Sequence, residues 1–177
     1  NGYTDVAYDL LLQENYPSWL YPVKMGATTI WERWDGQKTD STFQDPGMNS
    51  FNHYAYGAIG DWMYRVSAGL ELGKPGYKQI LIQPHPTKRL EYSKASFESS
   101  YGTIQSGWER KDSKIIVSVR IPANTPAVVR LPVSSADMIK EKGTAVTANK
   151  NFSAFRTENN CVLFDAGSGE YVFEFSE

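Results

Sequence analysis

Cysteine and histidine are nearly absent from this chain. The single Cys161 excludes an internal disulfide and any cysteine-built zinc site. The two histidines, His53 and His85, lie far apart in sequence, so a histidine metal cluster is not expected and neither metal nor other cofactor is called for. There is no block of lysine or arginine, and the formal net charge is −2. Nucleic acid is therefore not an expected partner, because binding it needs a concentrated basic face. No apolar run approaches membrane-spanning length, so no membrane partner is expected either. The opening residues NGYTDVAYDLLL show no signal-peptide pattern and no initiator Met. They read as the middle of a helical region, so the chain is expected to be part of a longer polypeptide, and its compartment stays open.

Aromatic residues, by contrast, are plentiful. They make up 14% of the 177 residues, against 41% hydrophobic and 21% charged overall, which marks a globular chain long enough to bury a core. Surplus Tyr and Trp suit either all-β packing or a carbohydrate site, and composition does not choose between them. The densest cluster is TTIWERWDG, residues 28 to 36, which places two of the five tryptophans around one glutamate. Buried indoles need a partner for their N–H, and carboxylates rarely sit among apolar rings without a reason.

Along the chain, helical signals come first and β signals follow. Thr4 is placed to cap a helix with Asp5 in its first turn and Val6, Ala7, Leu10 and Leu11 on one face, ending near Tyr16 because Pro17 follows. PSWLYPVKMG, broken by Pro17 and Pro22, allows one helical turn at most. TTIWERWDG, β-branched and aromatic and closed by Asp-Gly, predicts a strand entering a tight turn. Residues 37 to 49 are polar with Pro46-Gly47, a loop. SFNHYAYGAIGDWMYRVSAGLEL then predicts a long helix from Ser50, with Phe51, Tyr54, Ala55, Ala58, Ile59, Trp62, Met63, Val66 and Leu70 on one face. Gly57 and Gly60 weaken it and are expected to allow a neighbouring helix close by. Beyond Pro75 the period becomes two. Ile80 and Ile82, then Ile104, Ser106 and Trp108, then Ile115, Val117, Val119 and Ile121, then Val129 and Leu131 alternate with polar residues. VLFDAGSGEYVFEF reads as two strands around a turn. Six to eight such strands predict an antiparallel sandwich. The expected division is 1–74 helical and 75–177 β.

Two readings of Glu32 stay open on the residues alone. It is either a general base beside rings that hold a sugar's apolar face, or an exposed glutamate paired with Arg33 or Lys38. Asp35 reads as a turn former. His53, expected in the first turn of the long helix, is either a hydrogen-bond donor to a ligand or a satisfied core or capping residue. Asn49, Ser50 and Asn52 beside it supply groups suited to sugar hydroxyls. Trp62 reads as core, and His85, between Pro84 and Pro86, as a rigid linker or edge residue. No phosphate cradle, nucleophile elbow or zinc helix is present. One carboxylate among aromatics is also too few for glycoside hydrolysis, which usually needs two.

PSWLYPVKMGATTIWERWDG, MNSFNHYAYGAIGDWMYRVSAGL, PGYKQILIQPHP and FESSYGTIQSGWER together resemble, in order and with matching gaps, the carboxy-terminal portion of bacterial α-L-rhamnosidases. The likeness runs over about residues 2 to 132 and is looser beyond. It implies the carboxy-terminal helices of an (α/α)6 barrel, residues 1–74, followed by an antiparallel β-sandwich, residues 75–177. It implies an enzyme that cleaves terminal α-L-rhamnose from a glycoside or polysaccharide with inversion, with Glu32 in the general-base position. His53, Trp31 and Trp34 then line the sugar pocket, with Asn52 beside them. The family's general acid sits in an upstream acidic, tryptophan-containing motif that this chain lacks. The chain alone is therefore expected to be inactive, and its uncovered helices to self-associate. The alternative is a non-catalytic β-sandwich module, carbohydrate-binding or structural, with a helical extension.

Overall fold

The structure is a computed structural model and describes residues 2–176. Contacts divide it into two compact units, one running to Gly60 and the other starting at Asp61.

The first unit has little regular structure. Helix α1, Thr4–Leu12, starts where expected, but its N-cap is Tyr3 and no side chain caps it. It ends at Leu12, short of the expected Tyr16. Tyr8 and Leu11 are its buried residues, whereas Val6 and Leu10 are more than half exposed. The predicted apolar face is thus only partly covered. Helix α2, Leu20–Lys24, is the single short turn that Pro17 and Pro22 permit.

TTIWERWDG is not a strand. Its backbone follows bends that end in a turn where the Gly36 N–H donates to the Arg33 carbonyl at 3.2 Å. An isolated bridge between Gln37 and Phe43 closes the loop after it. The reason is the partner segment, residues 49–53, which is itself non-helical and offers hydrogen bonds at irregular intervals rather than a ladder.

The long helix expected from Ser50 is replaced by three short pieces and a strand. A 3₁₀ turn spans Ala55–Ala58, α3 spans Ile59–Trp62, and a π-helical turn spans Met63–Ser67. Residues 50–54 stay outside because their backbone groups are already taken, the His53 N–H by the Ile30 carbonyl at 2.8 Å among them. Gly57 meets only the Ile30 side chain and Gly60 meets nothing within 4 Å, so neither seats a neighbouring helix among the described residues. Trp62 is half-buried rather than core. The helical run stops at Gly69, whose φ of +77° ends it; a Cβ there would collide with the Pro84 backbone. Strand β1, Leu70–Lys74, follows at once. The β architecture therefore begins before the expected boundary at residue 75.

The second unit contains eleven strands among the described residues. After β1 come β2 (Gln79–Ile82), β3 (Tyr92–Ser99), β4 (Gly102–Lys111), β5 (Lys114–Ile121), β6 (Ala127–Leu131), β7 (Lys140–Glu141), β8 (Thr144–Ala145), β9 (Phe152–Glu158), β10 (Cys161–Ala166) and β11 (Gly169–Ser176). One sheet has the order β1-β2-β6-β10-β9 and the other β3-β4-β5-β11-β7-β8. All pairings are antiparallel except β2 with β6. The β10–β11 connection passes from one sheet to the other, so the last two strands do not pair with each other.

The alternating residues face one core. Ile80, Ile82, Ile104, Trp108, Ile115, Val117, Val129 and Leu131 are all buried, joined by Phe152, Phe164 and Phe173. Such burial contributes roughly 1.5–3 kcal/mol for each large side chain. Trp108 satisfies its indole by donating to the Ser67 carbonyl at 2.8 Å, and the Ser106 hydroxyl donates to the Ala68 carbonyl at 2.7 Å. These two bonds fasten the strand β4 to the segment that precedes β1.

His85 follows β2, and burial, seconded by the Arg130 charge, holds its imidazole below the ordinary 6.5. Below that value the unfolded chain binds the proton more readily than the folded one. The stability this confers is complete above pH 6.5 and is lost as pH falls through the folded value. Thermal midpoints should decline as pH is lowered from about 7.5 to about 5, and His85→Gln should flatten that decline. Equal slopes in the two proteins would show that His85 does not carry it.

Candidate functional site

The site residues come together in the first unit because residues 29–36 and 49–53 are laced by hydrogen bonds. The Thr29 hydroxyl donates to the Phe51 carbonyl, and the His53 N–H to the Ile30 carbonyl at 2.8 Å. Glu32 is held twice by one residue. Its own N–H donates to the Ser50 carbonyl at 2.9 Å, and the Ser50 N–H donates to its Oε2 at 3.0 Å. Further along, the Asn49 Nδ2 donates to the Gly36 carbonyl at 2.9 Å.

The aromatic rings near Glu32 fall into two packed groups. Trp31 is 7% exposed and packs edge-on against Phe51, ring centroids 5.1 Å apart, and Phe51 meets Phe43 at 5.5 Å. Trp34 belongs to the second group. It stacks on Tyr56 at 4.6 Å and 18° and meets Trp19 edge-on at 5.6 Å. The Trp19 indole donates to the Tyr56 carbonyl at 3.0 Å, which locks this group of three rings. Trp19, Val23, Thr28, Ile30, Trp31, Trp34 and Tyr56 line a concavity of about 280 Å³. Glu32, Asn52 and His53 are not among its lining residues.

Glu32 is half-buried and makes no ion pair among the described residues, so pairing with Arg33 or Lys38 does not occur. A single backbone N–H orients the carboxylate through Oε2 and leaves Oε1 without a partner among the described residues. That arrangement suits proton acceptance from a water. Asp35 accepts from the Gln44 side chain at 2.6 Å, as a turn residue does. Asn52 is exposed, and its backbone N–H donates to the Ser50 hydroxyl at 3.2 Å. His53 lies in irregular backbone, not in a helix. Its Nδ1 accepts from the Ala55 N–H at 3.3 Å, so a neutral ring carries its proton on Nε2 and can donate there.

Two buried polar atoms have no partner among the described residues, Trp34 Nε1 and Asn49 Oδ1. No group of three or more His, Cys, Asp and Glu side chains that could hold a metal occurs among the described residues. No helix there is long and apolar enough to cross a membrane. A larger concavity, about 400 Å³, lies over the six-stranded sheet, lined by Lys94, Gln105, Ser118, Arg120 and Glu170. Its charges are already paired, Arg120 with Glu170 at 3.5 Å and Lys94 with Glu109 at 3.0 Å, and it holds no unpaired acid or base for bond cleavage.

Residues 1–66 match the family model for the bacterial alpha-L-rhamnosidase 6 hairpin glycosidase domain, and residues 69–146 the model for the bacterial alpha-L-rhamnosidase C-terminal domain. The chain belongs to the bacterial α-L-rhamnosidase family. Between them, the two matches leave only the last strands and two residues at the junction uncovered. A curated α-L-rhamnosidase of Streptomyces avermitilis is 42% identical over 173 residues, 97% of this chain and 16% of that protein. The crystal structure of the Streptomyces avermitilis α-L-rhamnosidase complexed with L-rhamnose superposes with a TM-score of 0.88, at 39% identity over 99% of this chain and 16% of that one. An α-L-rhamnosidase structure from Dictyoglumus thermophilum gives 0.83, at 33% identity over 99% of this chain and 19% of its own. The chain thus spans less than a fifth of the length of these relatives. The expected six-hairpin and β-sandwich architecture holds, and the C-terminal domain match begins one residue before β1.

Trp19 and Tyr56, which clasp Trp34, were not legible as site residues, since only tertiary packing brings positions 19, 34 and 56 together. Gly36 carries a testable consequence. It is buried, and a Cβ on it would lie 3.2 Å from Asn49 Oδ1, 3.2 Å from the Phe51 ring and 3.3 Å from the Trp31 ring. Gly36→Val should lower stability by about 1–3 kcal/mol, the usual cost of overpacking. The urea midpoint followed by tryptophan fluorescence reads this, and an unchanged midpoint would contradict the packing described.

Proposed function

We propose that this chain is the portion of an inverting α-L-rhamnosidase that supplies the general base, Glu32. The observation that carries the reading is the state of that carboxylate. One oxygen is fixed by the Ser50 N–H, and among the described residues the other is open and no cation neutralises it. In inversion, a base removes a proton from water as the water attacks the anomeric carbon from the face opposite the leaving group. Glu32 would orient and deprotonate that water. A carboxylic acid on the other side, expected upstream in the complete enzyme, would protonate the departing oxygen. Trp31 and Trp34 would offer ring faces to the apolar side of the sugar, and His53 Nε2 and Asn52 hydrogen bonds to its hydroxyls.

The substrate in this reading is a rhamnose-containing glycoside or polysaccharide. The amino-side residues belong to the catalytic barrel and the carboxy-side residues to the sandwich, with the changeover between Gly60 and Lys74. Without its acid, the chain lacks protonation of the leaving group, a contribution of about 10²–10⁴-fold. The purified chain should release no chromophore from an aryl α-L-rhamnoside. In the complete polypeptide, Glu32→Gln should lower kcat by a similar factor, about 10²–10⁴-fold. Clear turnover by the chain alone, or an undiminished kcat in the variant, would overturn the assignment.

The same reading explains the apolar surface of the first unit. Tyr3 is 75% exposed, Val6 54%, Leu10 52% and Val23 59%. Exposed apolar surface of this kind promotes association. The isolated chain should self-associate at micromolar concentration by light scattering, and a monomer would count against it.

A further inference from the structure

We propose that Asn49 is the positioning residue for Glu32, acting through the Ser50 peptide. This deepens the proposed function and rests on Glu32 being the base. Among the described residues the Glu32 side chain has one hydrogen bond, from the Ser50 N–H to Oε2. Its direction is therefore set by where the Ser50 peptide sits. Ser50 lies in no helix or strand, so no regular hydrogen-bond ladder fixes that peptide. What fixes it on the preceding side is Asn49, whose Nδ2 donates to the Gly36 carbonyl at 2.9 Å. That carbonyl also accepts from the Gln44 N–H at 3.0 Å, so the anchor is itself held. On the following side, Phe51 is gripped by the Thr29 hydroxyl and by the Trp31 ring.

The orientation of the amide is decided by chemistry. Reversing it would set Oδ1 against the Gly36 carbonyl, oxygen facing oxygen, so only the nitrogen can point there. Oδ1 is then left buried with no partner among the described residues. Burying an acceptor unpaired is costly, and a side chain with no second polar end would avoid the cost. A donor to Gly36 is what the site retains. Gly36 completes the fit, because a Cβ there would press to 3.2 Å from both Oδ1 and the Phe51 ring, which flank Ser50 on its two sides. Misplacement of a reacting group by about 1 Å costs on the order of 100-fold in rate. The clamp therefore acts on the chemical step and not on sugar binding.

Asn49→Asp keeps the shape and removes the donor. In the 177-residue chain, hydrogen exchange at the Glu32 and Ser50 amides should quicken by about 10-fold or more, while the Val117 and Val129 amides of the sandwich keep their protection. Unchanged exchange at Ser50 would overturn the proposal. In the complete polypeptide, Asn49→Asp should lower kcat about 10- to 100-fold with KM within about two-fold. A loss confined to KM, or an undiminished kcat, would equally overturn it. If Asn49→Asp fails to fold, Gly36→Ala applies, since it crowds the amide and the Phe51 ring on either side of Ser50 without deleting the donor and should give the same kcat loss. Faster exchange at Ser50 in a complete polypeptide that hydrolyses no rhamnoside would leave the clamp standing and remove the proposed function instead.

Discussion

The reciprocal pairing of Glu32 with Ser50, N–H to carbonyl in one direction and N–H to carboxylate in the other, is the contact on which the first unit depends. Residues 29–36 and 49–53 have no helix or strand of their own. Backbone groups that leave water must find partners, and here each segment supplies them for the other. The same lacing holds the segment that carries both Trp31 and Trp34, which line one concavity. It therefore determines both the local path of the chain and the surroundings of the Glu32 carboxylate. A functional group placed on irregular backbone needs such support, because no ladder holds it in place.

A second constraint governs the passage into the sandwich. Gly69 adopts a left-handed conformation against the backbone of Pro84, which stops the helical run and starts β1. Just before it, the carbonyls of Ser67 and Ala68 accept from Trp108 and Ser106. A buried indole and a buried hydroxyl on β4 thus find their partners outside the sheets, and the start of β1 is registered against the core. Two tryptophans in this chain show opposite outcomes for the same need. Trp108 donates its N–H within the core, whereas the buried N–H of Trp34 finds no acceptor among the described residues.

The β half was legible because alternation is a local signal with a global meaning. Ile80 and Ile82, Ile104 and Trp108, and Ile115 through Ile121 declared an inward face, and each is buried. The candidate site was legible only as a set of residue types: Glu32, Trp31, Trp34, Asn52 and His53 were singled out as a cluster of chemistry in an aromatic setting. Their backbone was misread. TTIWERWDG had strand propensity and SFNHYAYG had helical periodicity, yet neither forms, because each segment's hydrogen bonds are taken by the other. Propensity describes a segment on its own and yields when tertiary partners satisfy the backbone differently. Gly57, Gly60 and Gly69 inside the helical pattern were the one local sign that it would break.

By itself, then, the sequence determined the sandwich's inward face, the change of period near residue 75 and the chemical character of the region around Glu32. Each of these follows from side-chain identity at fixed local spacing. Tertiary structure alone decided that Trp19 and Tyr56 clasp Trp34, that β10 and β11 part into different sheets, and that Ser50 and Asn49 set the direction of the Glu32 carboxylate. Those are contacts between residues distant along the chain or between backbone groups, and no short-range periodicity encodes them.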